Sequence, residues 1–320
     1  VRFGALRAKP WSGALSIEDL VRLYRTLRPS VVHHVTFKAV LYGTIAARLT
    51  GVGAVVNAMT GLGDVFAANS LSDRGWRAVT VALFRIFVRH PNMRIVVQNA
   101  DDRDVLVNAG AVRPEQTALI RGSGVDPAFF VPAPARGAHT PVVICAARMV
   151  LNKGIGEFVS AARQLRSEGV DARFLLAGDR ATDSGKGIPD SVFDGWVREG
   201  AIEYAGLRED IRELNAQADI ACLPSWGGEG VPKSLIEAAS SELPIVTTDV
   251  PGCRDIVRQG ENGFLVPPRA VEPLAEALRT LILDPELGHR MGARGRAIVI
   301  AEFSLERVIA STLKIYEELA

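Results

Sequence analysis

Between residues 229 and 237 the chain reads EGVPKSLIE, which sets two carboxylates, Glu229 and Glu237, on either side of Gly230, Val231, Pro232, Lys233 and Ser234. Pro232 suits the first turn of a helix, where its missing N–H costs nothing and its fixed φ helps, and the helix is expected to run to about Ser240. The first turn of a helix has unpaired N–H groups and a partial positive charge, so it favours an anion, typically a phosphate. The donors would be Lys233 and Ser234, with Gly230 and Val231 ahead of them. Glu237 falls about 7.5 Å along the axis from Pro232. Two groups that only accept hydrogen bonds would then flank one anion site, each suited to sugar hydroxyls. Taken alone, the stretch also fits a solvated Glu at each end of a surface helix.

A second charged pair lies in CAARMVLNKG, residues 145 to 154. Arg148 ends an apolar strand and Lys153 starts the next helix, so both should project from the carboxyl edge of a sheet, where open α/β sheets bind ligands. A planar fork of donors and a point charge match a diphosphate; two solvated basic residues around a turn are the alternative. The strand end ACLPSW leads into EGVPKSLIE in the same way, so all four charges are expected on one rim.

The elements that must position them alternate along the chain. Apolar, β-branched runs at SVVHHV, GAVVNAM, RIVVQN and TALIRG read as strands, with helices over about 39–49 and in DDRDVLVNAG, opened by Asp and closed by Gly110. VVICAAR, ARFLLAG, IEYAG, DIACLP, LPIVTTD and GFLVP continue the pattern, with helices near 154–168, 208–217, 232–241, 272–283 and 286–300. The alternation predicts βα units and mostly parallel sheets. Residues 125–141, rich in Pro, Ala and Gly, read as a linker. The expected organisation is a first α/β domain over 1–135, a second over 136–302, and a last helix over 303–320 that docks onto either half. The first half has about four strands against six, and no strand with a Gly-rich turn precedes Val31 unless VRF at the terminus is one. That predicts a first domain lacking roughly 60 residues of one further βαβ unit and a helix.

Composition narrows the function classes. With 320 residues, 48% hydrophobic and 23% charged, the chain can bury two cores. Up to residue 135 there are 16 Lys and Arg against 9 Asp and Glu; after it there are 21 against 27. A net of +7 is followed by −6, and the basic half is the candidate for an anionic surface. Cys145, Cys222 and Cys253 stand far apart without a CxxC pair or a matching His set, which argues against a disulfide framework or structural zinc and for a reducing compartment. Residues 72–90, SDRGWRAVTVALFRIFVRH, have Asp73 as their only acid. Two readings of this helix stay open. It can lie on an anionic bilayer with Trp76, Leu83, Phe84, Phe87 and Val88 among the headgroups, or pack normally with a basic outer face. No apolar run reaches the ~18 residues of a spanning helix. No nucleic-acid readout module accompanies the basic half.

ARMVLNKG, the E-x7-E spacing of Glu229 and Glu237, PGCRDIV at 251–257, GENGFLVPP at 260–268 and GSGVD at 122–126 together resemble the retaining, nucleotide-sugar-dependent glycosyltransferases of family 4, over nearly the whole chain. The resemblance implies two Rossmann-like domains facing across a cleft, the GT-B fold, with the N-terminal one incomplete. It implies that Arg148 and Lys153 neutralise the donor diphosphate and that Glu229 binds donor-sugar hydroxyls, helped by the backbone of Gly230, Val231 and Lys233. Glu237 would take the ribose hydroxyls and backbone near Leu207 the base, with neither metal nor cofactor required. In VVNAMTGLGDVF, Thr60 before Gly61 stands where many members have His; a Thr can donate a hydrogen bond but is no general base near neutral pH. Ser123 stands where the family has Asn. Thr60, Gly61 and His34 are the acceptor-side candidates, although one of His33 and His34, which alternate on a strand, should be packed. The implied activity moves a hexose or N-acetylhexosamine from a nucleotide diphosphate sugar, such as a UDP-sugar, to a glycan that relatives with TGLG loops carry on a lipid diphosphate. Its setting would be cell-surface polysaccharide synthesis, in the cytoplasm and peripherally at the inner membrane face. Two competing readings are a nucleotide-sugar epimerase, for which the second half offers only His139 and His289, and a non-catalytic nucleotide-sugar binder.

Overall fold

The computed structural model describes residues 12–62, 71–134, 137–180 and 187–320. The chain divides into two compact units, one of residues 1–120 with 309–320 and one of 121–308.

The first unit holds a parallel sheet of β1 (Val31–Val35), β2 (Ala54–Met59), β3 (Met93–Val97) and β4 (Thr117–Leu119), side by side in chain order. Its helices are α1 (Ser12–Leu27), α2 (Phe37–Thr50), α3 (Leu71–Phe87) and α4 (Ala100–Asn108). α1, which precedes β1 and was not among the elements read from the sequence, packs on α2 and buries Tyr24. Asn99, rather than an Asp, caps α4: its side chain accepts from the Asp102 N–H at 2.7 Å. Phe84 of α3 and Val88 just past its end are each 1% exposed and belong to the core, with Phe84 5.2 Å from the Phe37 ring. Two of the five side chains assigned to a headgroup face are therefore unavailable to a bilayer. The side chains of residues 71–77, Trp76 among them, lie outside the described set.

The second unit holds six parallel strands, β5 (Val142–Ala146), β6 (Arg173–Ala177), β7 (Glu203–Tyr204), β8 (Ile220–Leu223), β9 (Ile245–Thr248) and β10 (Gly263–Val266), in the order β10-β9-β8-β5-β6-β7. From β5 the chain first builds outward through β6 and β7, then returns to β5's other side to lay down β8. The carboxyl ends of β5 and β8 are thus the topological switch point, where such sheets leave a crevice. The helices are α5 (Ile155–Ser167), α6 (Asp190–Arg198), α7 (Ile211–Gln217), α8 (Lys233–Ser240), α9 (Cys253–Ile256), α10 (Val271–Leu283), α11 (Pro285–Ile298) and the first turn of α12 (Leu305–Leu319). Cys145, Cys222 and Cys253 are buried and unpaired, and loss of hydration pushes the Cys145 and Cys253 thiols up to about 12.

The boundary falls at Ile120, not at residue 135. The Pro-rich stretch looks like a linker by composition, but Val125 and Phe130 are core residues of the second unit. Backbone bonds join Val125 N–H to Phe303 O at 3.1 Å and Leu305 N–H to Val125 O at 2.8 Å, while Arg296 donates to the carbonyls of Pro127 and Phe130 at 2.9 and 2.8 Å. The later boundary lies within α12. From Ile309 onward the helix belongs to the first unit, where the Tyr316 hydroxyl oxygen Oη meets His33 Nδ1 at 2.6 Å and the Leu319 carbonyl accepts from Asn92 Nδ2 at 2.7 Å.

Candidate functional site

At the switch point, glycines let backbones approach more closely than any other residue would allow. Gly154 opens α5 with φ +71, and a Cβ there would sit 2.0 Å from Pro224 O. The start of α5 is therefore pressed against the end of β8. Ser225 Oγ lies 2.9 Å from Asn152 O, and Trp226 N–H donates to the same carbonyl at 3.0 Å. These contacts fasten the turn after β5 to the turn after β8.

Lys153 and Glu229, 76 residues apart, meet there: Lys153 Nζ donates to Glu229 Oε1 at 2.5 Å, and Ser225 Oγ reaches the same oxygen at 2.5 Å. Their side chains are 18% and 9% exposed, so the pair is shielded from bulk water yet still reachable. Gly252, φ +84, supports the loop from the β9 side; a Cβ there would fall 1.5 Å from Gly230 O. Its N–H donates to Asp255 Oδ2 at 3.1 Å, and Thr248 Oγ1 donates to Ser225 O.

The remaining donor-side candidates occupy the same sheet edge. Arg148 is exposed in the turn after β5, where Ala147 N–H bonds Ala177 O at 2.9 Å and Met149 N–H bonds Asp179 O at 2.8 Å. Leu207 is 73% exposed in the turn after β7, next to Gly206, whose carbonyl accepts from Gly178 N–H at 2.8 Å. Pro232 is the N-cap of α8, with φ −62 and ψ 120, one position earlier than a first-turn proline. Gly230 and Val231 are buried, so they can offer backbone groups alone, whereas Lys233 is exposed. Glu237 is 12% exposed, and its burial raises the carboxyl pKa against the pull of Lys233 Nζ at 3.6 Å. The rim thus combines cations, a helix start and two carboxylates. It is equipped to hold a diphosphate next to a polyhydroxylated group.

Ser225, Asn152, Gly154 and Gly252 were not singled out from the sequence. Ser225 directly follows the strand-end ACLP, which was the available signal; the two glycines act through long-range backbone contacts that no local pattern displays.

On the first unit the candidates separate. His34 is 6% exposed, with Nε2 2.8 Å from the Tyr24 hydroxyl oxygen Oη and Nδ1 2.8 Å from Asn57 Oδ1. Because Oδ1 can only accept, Nδ1 carries the proton and Nε2 accepts from the tyrosine. Burial lowers the His34 pKa, and the residue is a packed core histidine rather than an acceptor-side group. Thr60 is exposed just beyond β2, and Gly61 follows with φ +117; residues 63–70 of that loop lie outside the described set. Thr36, at the end of β1, has φ +81 and ψ 156, a region a β-branched residue rarely enters, and its N–H bonds Ala58 O at 3.1 Å. Such strain tends to gather at working edges, and sequence alone gave no sign of it.

Residues 140–284 match the family model described as "Glycosyl transferases group 1", and residues 5–87 match "Glycosyl transferase 4-like". The chain is 25% identical over 311 residues to N,N'-diacetylbacillosaminyl-diphospho-undecaprenol alpha-1,3-N-acetylgalactosaminyltransferase of Campylobacter jejuni, covering 93% of this chain and 79% of that protein. It is 24% identical over 319 residues to UDP-Gal:alpha-D-GlcNAc-diphosphoundecaprenol alpha-1,3-galactosyltransferase of Escherichia coli, covering 94% and 79%. It spans only 52% of a putative colanic acid biosynthesis glycosyltransferase of Escherichia coli, at 28% identity and 63% of this chain. Among solved structures, sucrose-phosphate synthase of Thermosynechococcus elongatus superposes with a TM-score of 0.84 at 21% identity, over 99% of this chain and 81% of that one. The HepE protein of Anabaena in complex with UDP gives 0.77 at 22%, over 97% and 84%.

Proposed function

Because this chain belongs to the family 4-type glycosyltransferases and has their GT-B fold, we propose that it moves a hexose or N-acetylhexosamine from a UDP-sugar to a glycan carried on a lipid diphosphate, with retention at the anomeric carbon. The observation that carries this reading is the meeting of Lys153 and Glu229 at the switch point of the second sheet.

In the reaction, the bond between the anomeric carbon and the β-phosphate oxygen breaks, and the UDP leaves with the electron pair. The acceptor hydroxyl oxygen forms its bond on the face the UDP vacates, and its proton passes to a phosphate oxygen of the leaving group. Lys153, Arg148 and the N–H groups at the start of α8 stabilise the charge that gathers on the diphosphate. Glu229 accepts from donor-sugar hydroxyls, aided by the Gly230, Val231 and Lys233 backbone; Glu237 accepts from the ribose, and backbone at Leu207 meets the base. Thr60 and Gly61 serve the acceptor side. No metal enters this scheme, because cationic side chains take its place, so activity should survive EDTA.

The lipid-linked acceptor is supported by the names of the Campylobacter and Escherichia relatives, both of which act on diphosphoundecaprenol sugars. Peripheral membrane contact through residues 72–90 is part of the proposal. Val79 and Ile86 are exposed on α3, and Arg89 follows it. No described helix is long and apolar enough to cross a membrane. Sedimentation with phosphatidylglycerol vesicles should carry the protein down at low salt and release it at high salt.

The decisive test supplies UDP-glucose, UDP-galactose, UDP-N-acetylglucosamine or UDP-N-acetylgalactosamine together with short-chain lipid-diphosphate sugars, and reads product configuration by NMR. An α-linked product from one α-configured donor is expected. An inverted product, or an isomerised donor in the absence of acceptor, would overturn the proposal.

A further inference from the structure

Arg269 has no part in the donor contacts described so far, yet its backbone is in the left-handed region, φ +61, where a non-glycine residue is strained. It lies in the turn between β10 and α10, and its guanidinium carbon stands 3.9 Å from the centre of the Trp226 ring. Trp226 belongs to the turn after β8, so the contact reaches across the carboxyl end of β9, the strand between. A cation over an indole face is the strongest form of this interaction. The backbone cost at Arg269 and the gain from the stack are of similar size, so the contact adds little to the stability of the fold as a whole.

Trp226 is joined to Glu229 by Gly227 and Gly228, the second with φ +73, and a glycine pair has no side chains with which to hold a loop. The backbone of Trp226 is fixed through its N–H to Asn152 O, and its ring through Arg269. We propose that Arg269 is a positioning residue: by clamping the Trp226 ring it fixes the origin of the glycine pair and hence the place at which Glu229 meets the donor sugar. This role rests on the donor reading above.

Four variants of the full chain test it: Arg269→Gly, Arg269→Lys, Trp226→Leu and the double variant Arg269→Gly with Trp226→Leu. Arg269→Gly should leave the melting temperature unchanged or slightly raised, because glycine accepts the left-handed backbone. Its affinity for UDP, which has no sugar to meet Glu229, should stay within about two-fold of wild type, while kcat/KM for the UDP-sugar should fall about five-fold. Arg269→Lys should recover most of that loss. Trp226→Leu should lose a similar amount, and the double variant no more than either single one. With 5-fluorotryptophan incorporated, the Trp226 resonance, identified by its disappearance in Trp226→Leu, should shift in Arg269→Gly. A wild-type resonance position in Arg269→Gly, an unchanged kcat/KM, additive losses in the double variant, or a parallel fall in UDP affinity would each overturn the role. Failure of the wild-type chain to release UDP from any of the four sugars named above would strike the donor reading itself, and this role with it, before any variant is made.

Discussion

Glu229 receives Lys153 and Ser225 on one carboxylate oxygen, so its position is fixed from two sides by groups that follow different strands. Glu229→Gln keeps an acceptor oxygen for both and should fold with a melting temperature near wild type. On the role proposed for Glu229 at the donor sugar, transfer should fall by about 100-fold or more, because a charged acceptor is replaced by a neutral one. Lys153→Ala differs, since it strands a carboxylate that is 9% exposed. It should therefore lose both transfer and about 1–3 kcal/mol of stability, read by urea denaturation alongside the transfer rate. Gly252→Ala should cost at least about 1–3 kcal/mol from its left-handed backbone alone, before the collision with Gly230 O, and should weaken UDP-sugar binding by displacing the loop. Lys153, Arg148, Glu229 and Glu237 could be read from the sequence because charge type and spacing next to strand ends are local properties. Gly252 and Ser225 could not, because what they contribute is an approach between turns that the strand order, not the sequence interval, brings together.

Elements were legible where periodicity decides and less so at their ends. The alternation of β-branched runs with amphipathic stretches predicts each of the ten described strands. It misplaces Pro232 by one position and assigns the cap of α4 to Asp rather than Asn99, since a cap depends on one side chain's conformation. α1 was missed altogether, although Leu20, Val21 and Tyr24 fall at helical spacing and pack inward. The partners of His34 belong to this scale too. Tyr24 comes from α1, Asn57 from β2, and Thr44 of α2 accepts from Asn57 Nδ2 at 3.0 Å, so one buried network ties four elements. Burial lowers the pKa of both His34 and His33 below the ordinary 6.5. Below 6.5 the unfolded chain takes up protons that the folded chain resists. The stability they contribute is therefore fully present above pH 6.5 and lost as pH falls through the folded values. Urea midpoints of the first unit, followed from pH 8 to pH 5, should hold level down to about pH 6.5 and decline below it, and His34→Phe should flatten the decline.

At the scale of the molecule, charge and composition divided the chain close to where it folds, but they set the first boundary fifteen residues late. Proline content marks a segment without regular structure, and such a segment can still bury Val125 and Phe130 in a core. The final helix shows the same limit from the other direction: its apolar stripe was plain, and what it packs against was not. Ile315 and Leu319, 6% and 5% exposed, come to rest in the first unit, beside the Tyr316 and Asn92 bonds. A chain of two compact units, each with its own core, should melt in two calorimetric steps, because cooperativity follows the core rather than the polypeptide. Truncating Ile315 to Ala should then lower the step belonging to the first unit by about 2–4 kcal/mol and leave the other in place. UDP should do the converse, raising the second unit's step through the rim of Lys153, Arg148 and the α8 start, since a ligand stabilises the unit that binds it. A single step shifted equally by Ile315→Ala and by UDP would mean that the two cores unfold as one.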